Sequence, residues 1–259
     1  MDVLQKVEYS FEKFRGQKFT IGKSLNGQPI YCFCVAKSSR PRIIFGYAIH
    51  AREHITSHLA LKHIRYFNDF GKRGTVYFLP VLNPDGVQIA LTRDPLYKAN
   101  ARGVDLNVNF DAKWGSGKSN VQVKGSANYV GTHPFSEPET IALRDFTLSI
   151  KPDMTVSYHC KGEEIYYEFF QTGSRLERDF KFAKTVSFVT GYAIKTPVGS
   201  AGGYKDWCVQ NLSIPSLTIE VGSDQLSHPI TEEYLPNIYQ KNMGVVRALT
   251  ESCLWNTYL

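Results

Sequence analysis

The alternation of apolar and polar positions divides the chain into extended and helical stretches. Residues 43–49 form an apolar run that reads as a buried strand, and His50, Arg52, Glu53 and His54 end it abruptly. Beyond them Ile55, Leu59, Ile64, Phe67 and Phe70 recur at helical spacing. Residues 75–82 predict another apolar strand, stopped at Asn83-Pro84-Asp85-Gly86, which reads as a turn. Upstream, after a polar N-terminal helix, residues 19–24 and 29–35 flank Asn26-Gly27 and predict two strands joined by a turn. Residues 88–129 are poor in helical periodicity and rich in Asn, Gly, Lys and Asp, as functional loops are.

The pattern continues with a capped helix, Ser136 followed by Glu139, running to Ile150. A short strand over 154–158 ends at His159, and further elements are a strand at 164–167, a helix over 177–190 and a loop at 197–203. A short helix near Asp206-Trp207 precedes residues 215–221, where Leu217, Ile219 and Val221 share one strand face and Ser216, Thr218 and Glu220 the other. A helix over 231–254 closes the chain. Strand, helix, strand in this order predicts crossover connections, hence an α/β fold with a central mixed, largely parallel twisted sheet flanked by helices.

At 259 residues with no recognisable linker, the chain is expected to form a single domain over 1–259. The net charge of +6 is modest and its basic residues are scattered, so neither a nucleic-acid partner nor a membrane surface is expected. The first residues lack the pattern of a signal peptide, and no segment is apolar enough to span a bilayer. Five cysteines, an odd number without a C-x-x-C pair, argue against a disulfide framework and fit a reducing cytoplasm. The oligomeric state is not legible.

Chemistry gathers where the apolar runs stop. His50 and Glu53, three residues apart at a strand-to-helix junction, can converge on a zinc ion, although alone they suit a capped helix start with a satisfied histidine. His159, ending another strand, would complete two imidazoles and a carboxylate around one zinc, the fourth position left to water. Glu220, a carboxylate in an apolar strand, is then free to act as base. A competing H-x-x-E-H reading makes His50 and His54 the ligands and Glu53 the base. It needs His50 inside a helix, whereas the apolar run ends as a strand at Ile49, so His54, His58 and His63 read as helix-face residues.

H-x-x-E at His50 and Glu53, Asn-Pro-Asp-Gly at Asn83 to Gly86, Asp105-x-Asn107, His159 and the Thr-Ile-Glu ending at Glu220 together resemble the zinc carboxypeptidases, over nearly all the chain from Phe19 onward. The resemblance implies a zinc metallopeptidase with His50, Glu53 and His159 as metal ligands and Glu220 as general base and acid. It also implies that Asp105 orients His50. Lys98 falls where the family usually places an oxyanion-stabilising arginine, keeping the charge but losing the fork.

Three departures concern substrate. Beside Asn107, Val108 stands where an arginine clamps a terminal carboxylate; Val198 replaces a capping tyrosine; Lys205 occupies the position that sets side-chain specificity. With the phrases from Tyr97 to Asn107 and from Gly202 to Trp207, these resemble the bacterial γ-D-glutamyl-diaminopimelate peptidase branch. That implies cleavage of a γ-D-glutamyl bond in small cell-wall muropeptides, with Asn107, Lys205, Arg52 and Arg102 as contacts for an acidic substrate. The alternatives are an ordinary C-terminal carboxypeptidase and a zinc-bound recognition module without catalysis.

Overall fold

Period-two alternation sorts the strand side chains onto two faces, and that sorting organises the molecule. The structure, a computed structural model, describes residues 1–125 and 127–255. Helix α1 (Val3–Lys13) is followed by strands β1 (Gln17–Lys23), β2 (Pro29–Ala36) and β3 (Arg42–Tyr47), helix α2 (Ile55–Phe70), strand β4 (Thr75–Leu79) and helix α3 (Pro84–Thr92). After an irregular stretch come α4 (Pro138–Ile150), β5 (Met154–His159), β6 (Glu164–Tyr166), α5 (Gly173–Thr190), β7 (Ala193–Lys195) and α6 (Tyr204–Asn211). β8 (Ser216–Glu220), α7 (Leu235–Asn242) and α8 (Val245–Trp255) complete the order.

All eight strands join one sheet, ordered β1-β2-β4-β3-β5-β8-β6-β7. Its centre, β4-β3-β5-β8, is parallel, while β1, β2 and β6 add antiparallel pairings. The α/β class and mixed sheet therefore match the expectation. Ile43, Phe45 and Tyr47 of β3 face a core built with α1, α2, α5, α7 and α8; Ile44 faces a second core built with α4, α6 and residues 106–112. Phe45, Phe67 and Phe78 are fully buried, each worth roughly 1.5–3 kcal/mol against exposure. Among the described residues no helix is long and apolar enough to cross a membrane.

The connections place a crevice at the middle of the sheet. The chain leaves β3 through α2 to reach β4 on one side, and later enters β5 on the other side of β3 through α4. Where strand order reverses in this way, the carboxyl ends of the strands diverge and leave room for a ligand. His50 follows β3 and His159 ends β5, so both reach that crevice.

Several local expectations are corrected. Asn83-Pro84-Asp85-Gly86 is a helix start: Asn83 caps α3, its side chain accepting from the Gly86 N–H, with Pro84 in the first turn. The Ser136–Glu139 capping box does not form. Ser136 Oγ donates to Glu137 instead, and Glu139 accepts from the Leu25 N–H and from Asn100. The closing helix is split into the single turn Glu232–Tyr234, α7 and α8, with Gly244 between the last two. β3 stops at Tyr47 because Ala48 turns to φ 47°, a left-handed conformation incompatible with a continuing strand.

Candidate metal centre and active site

The turn after β3 aims His50. The Ala48 N–H donates to Thr56 Oγ1 at 3.0 Å, and Ala51–Glu53 form a single helical turn whose Ala51 N–H donates to the Lys98 carbonyl at 3.0 Å. Asn83 Nδ2 donates to the carbonyls of Ile49, at 3.1 Å, and Ala99, at 3.0 Å. One amide thus fixes the segments carrying His50 and Lys98. Gly86 is required beside it, since a Cβ there would lie 2.3 Å from the Ala99 carbonyl oxygen. Across the crevice, the parallel register of β5 and β8 sets His159 directly beside Glu220.

His50, Glu53 and His159 converge on one point. His50 Nδ1 lies 2.9 Å from Glu53 Oε1; His159 Nδ1 lies 3.0 Å from Glu53 Oε2 and 3.2 Å from His50 Nδ1. Two imidazole nitrogens and two carboxylate oxygens so close together suit a shared cation. The spacings approach the edge of a tetrahedron with metal–ligand bonds of about 2.0–2.1 Å, roughly 3.3 Å, and two nitrogens with a carboxylate are a donor set that zinc accepts. All three residues are buried, and among the described residues they are the one group able to hold a metal ion. His54 is outside it, which removes the competing H-x-x-E-H scheme.

Behind His50, Asp105 Oδ1 lies 3.2 Å from Nε2, within ion-pair distance though not aligned as a hydrogen bond. Asp105 Oδ2 lies 2.7 Å from Lys98 Nζ, so one buried carboxylate serves both. His159 Nε2 is buried without a partner among the described residues.

The electrostatics follow from this crowding. Burial disfavours ionised Glu53, but the neighbouring imidazoles of His50 and His159 outweigh it and hold the carboxyl far below its usual range. Asp105 is likewise kept ionised against burial by Lys98 and His50. Burial opposes protonation of His50, yet Glu53 and Asp105 outweigh it and raise its pKa, while Lys98 works the other way. Glu220 behaves oppositely: burial, with Glu53 and Glu164 nearby, pushes it up to about 8 despite the pull of His159 and Lys98. Its Oε2 has no hydrogen-bond partner among the described residues.

Two cavities adjoin the cluster. One of about 300 Å³ is lined by Glu220, Asn107, Lys205, Tyr166 and Thr218; the other, about 230 Å³, by His50, Lys98, Asp105, Asn107 and Asn128. Both also reach Val198 and Ser200, so they form two sides of one cleft. Val108 lines the smaller cavity, and Val198 is 80% exposed at the rim. Lys205 is buried, its Nζ donating to the Glu168 carbonyl at 2.7 Å and pairing with Asp206 Oδ1 at 2.5 Å. Arg52 and Arg102 line neither cavity; Arg102 lies 3.6 Å from Glu137.

The sequence gives Asn128, Tyr166 and Thr218 no site role, and it marks Asn83 only within a turn and family motif, not as the clamp between Ile49 and Ala99. Thr218 shares the Glu220 face of its strand, a signal that alternation carries. Tyr166 is brought in by cross-strand pairing with Thr218, and its hydroxyl donates to Glu164 Oε2 at 2.5 Å. Local pattern marks neither Tyr166 nor Asn128.

Comparison with known proteins agrees with this geometry. A family model described as zinc carboxypeptidase matches residues 4–244. The chain is 29% identical to γ-D-glutamyl-L-diamino acid endopeptidase 1 of Lysinibacillus sphaericus, over 96% of this chain and 70% of that protein. It is 30% identical to murein peptide amidase A of Escherichia coli K12, over 83% of this chain and 84% of that protein. A solved structure of bovine thrombin-activatable fibrinolysis inhibitor in complex with tick carboxypeptidase inhibitor superposes with a TM-score of 0.87 at 24% identity, covering 98% of this chain and 96% of that one. That likeness establishes the shared fold.

Proposed function

The chain belongs to the zinc carboxypeptidase family and is a zinc metallopeptidase, and we propose that within it the protein hydrolyses γ-D-glutamyl-diamino acid bonds in small cell-wall peptides. The observation that carries this reading is the cleft itself. It has Val108 where a terminal-carboxylate clamp would stand, and a buried lysine, Lys205, in the wall shared with Glu220. The names of the two bacterial relatives, one a γ-D-glutamyl endopeptidase and one a murein peptide amidase, point the same way.

In this reading His50, Glu53 and His159 would hold one zinc ion, with Asp105 fixing the ring of His50 through its outer nitrogen. Zinc held there would supply a water of lowered pKa and a Lewis acid for the scissile carbonyl. Glu220 would take the proton from the attacking water and pass it to the leaving amine. Lys98 places positive charge where the carbonyl oxygen becomes negative. Lys205 has two of its three N–H groups committed to Glu168 and Asp206, leaving one for an acidic substrate group, and Asn107 borders both sides of the cleft. Action in a reducing cytoplasm suits five cysteines that form no disulfide.

The test is hydrolysis of a γ-D-glutamyl-diaminopimelate peptide beside an ordinary peptide with a free C-terminus, read by mass spectrometry. Cleavage of the γ-D-glutamyl bond, lost on adding EDTA, is expected. Cleavage of the ordinary peptide alone would refute the substrate assignment and favour a plain carboxypeptidase. Cleavage of neither by zinc-loaded protein would favour a recognition module.

A further inference from the structure

A lysine ammonium sits on a flexible four-carbon stem and has three donors, so its direction is set by what accepts from it. At Lys98 two acceptors are in place: Asp105 Oδ2 at 2.7 Å and Asn128 Oδ1 at 2.8 Å. Asn128 comes from the far end of the irregular segment and lines the same cavity as His50 and Lys98. Its backbone is held at φ 60°, a left-handed conformation that asparagine tolerates better than most residues. Its carbonyl accepts from the Val121 N–H at 3.1 Å, and the carbonyl of the next residue, Tyr129, accepts from the Asp105 N–H at 2.9 Å. The residue that follows Asn128 is therefore fastened to the backbone of the very aspartate that holds Lys98 from the other side.

We propose that Asn128 is a positioning residue for Lys98. Together with Asp105 it steers the ammonium so that the remaining N–H faces the cleft where the scissile carbonyl lies. The inference rests on Lys98 acting as the oxyanion partner in the reading above. An arginine at this position would direct its charge by its own planar fork; a lysine needs an external guide, and Asn128 supplies it. Without the amide, the ammonium is free to collapse onto Asp105 alone.

The experiment is a double-mutant cycle of Asn128→Ala and Lys98→Met in the zinc-loaded protein. It is read as kcat and KM, and separately as affinity for a phosphonate analogue of the tetrahedral species. Asn128→Ala is expected to lower kcat and weaken the analogue on the order of tenfold, with KM changed by less than about twofold. The double variant should lose no more than Lys98→Met alone. Zinc content of Asn128→Ala should stay at the wild-type value, and Asn128→Gly, which removes the amide but accepts φ 60° without strain, should lose the same kcat and analogue affinity, which a merely structural role would not allow. Losses that multiply in the double variant, or an unchanged kcat and analogue affinity in Asn128→Ala, would overturn the proposal. If the wild type cleaves only an ordinary peptide, the substrate reading alone fails, and the cycle decides the role of Asn128 on that peptide and on its phosphonate.

Discussion

Glu220→Gln separates function from stability. The carboxyl is pushed up to about 8 from an ordinary 4.5, chiefly by burial, so the folded metal-free protein keeps its proton to higher pH than the unfolded chain does. Between those values unfolding releases a proton, and stability falls as pH rises through the window, the loss being complete above the folded pKa. At about 1.4 kcal/mol per pKa unit the ceiling at pH 8 is roughly 5 kcal/mol. Glu220 borders a cavity, and partial access of water reduces the realised effect to about 2–3 kcal/mol. Glutamine has nearly the same shape and no proton to lose. The metal-free Glu220→Gln protein should therefore melt roughly 4–10 °C above wild type at pH 8. At pH 5 the gap should nearly vanish, because the folded carboxyl is then protonated and the unfolded one partly so. The same substitution should cut turnover about 10²–10⁴-fold by removing the proton carrier. Thermal melts in EDTA at the two pH values, with peptide hydrolysis after zinc loading, provide the check. A gap independent of pH, a less stable variant at pH 8, or retained turnover would refute the argument.

Asp105→Asn should weaken zinc binding about 10–100-fold, because His50 loses the carboxylate that fixes its ring and Lys98 its counter-charge; a competing-chelator titration reads this, and unchanged affinity would remove Asp105 from that role. Lys205→Met should raise KM for the γ-D-glutamyl-diaminopimelate peptide on the order of tenfold, with a smaller change in kcat. If KM stays put in steady-state assays, Lys205 serves only its bond with Asp206.

The convergence of His50, Glu53 and His159 was legible because each stands where an apolar run stops, and strand ends in a parallel sheet meet at one edge. His159 and Glu220, 61 positions apart by their numbers, meet through strand register, which period-two alternation already encodes. Turn chemistry was the weak point. Asn83, Pro84 and Gly86 are turn formers by composition, but an asparagine cap with proline in the first turn also starts a helix, and only contact with Ile49 and Ala99 decides between them. Ser136 and Glu139 show the converse, a local capping signal overridden by the tertiary partners Leu25 and Asn100. The cleft walls were least legible. Asn128 and Tyr166 come from separate segments and reach the two sides of the cleft only after the sheet has formed, so no local pattern announces them, while Lys205 is reached only through the likeness of the phrase from Gly202 to Trp207.

The most direct test is anomalous diffraction at the zinc edge from crystals of protein loaded with one equivalent of zinc. A single peak within about 2.0–2.1 Å of a nitrogen of His50, a nitrogen of His159 and a carboxylate oxygen of Glu53 is predicted. A peak centred on His54 or His58, or none near His159, would contradict the account.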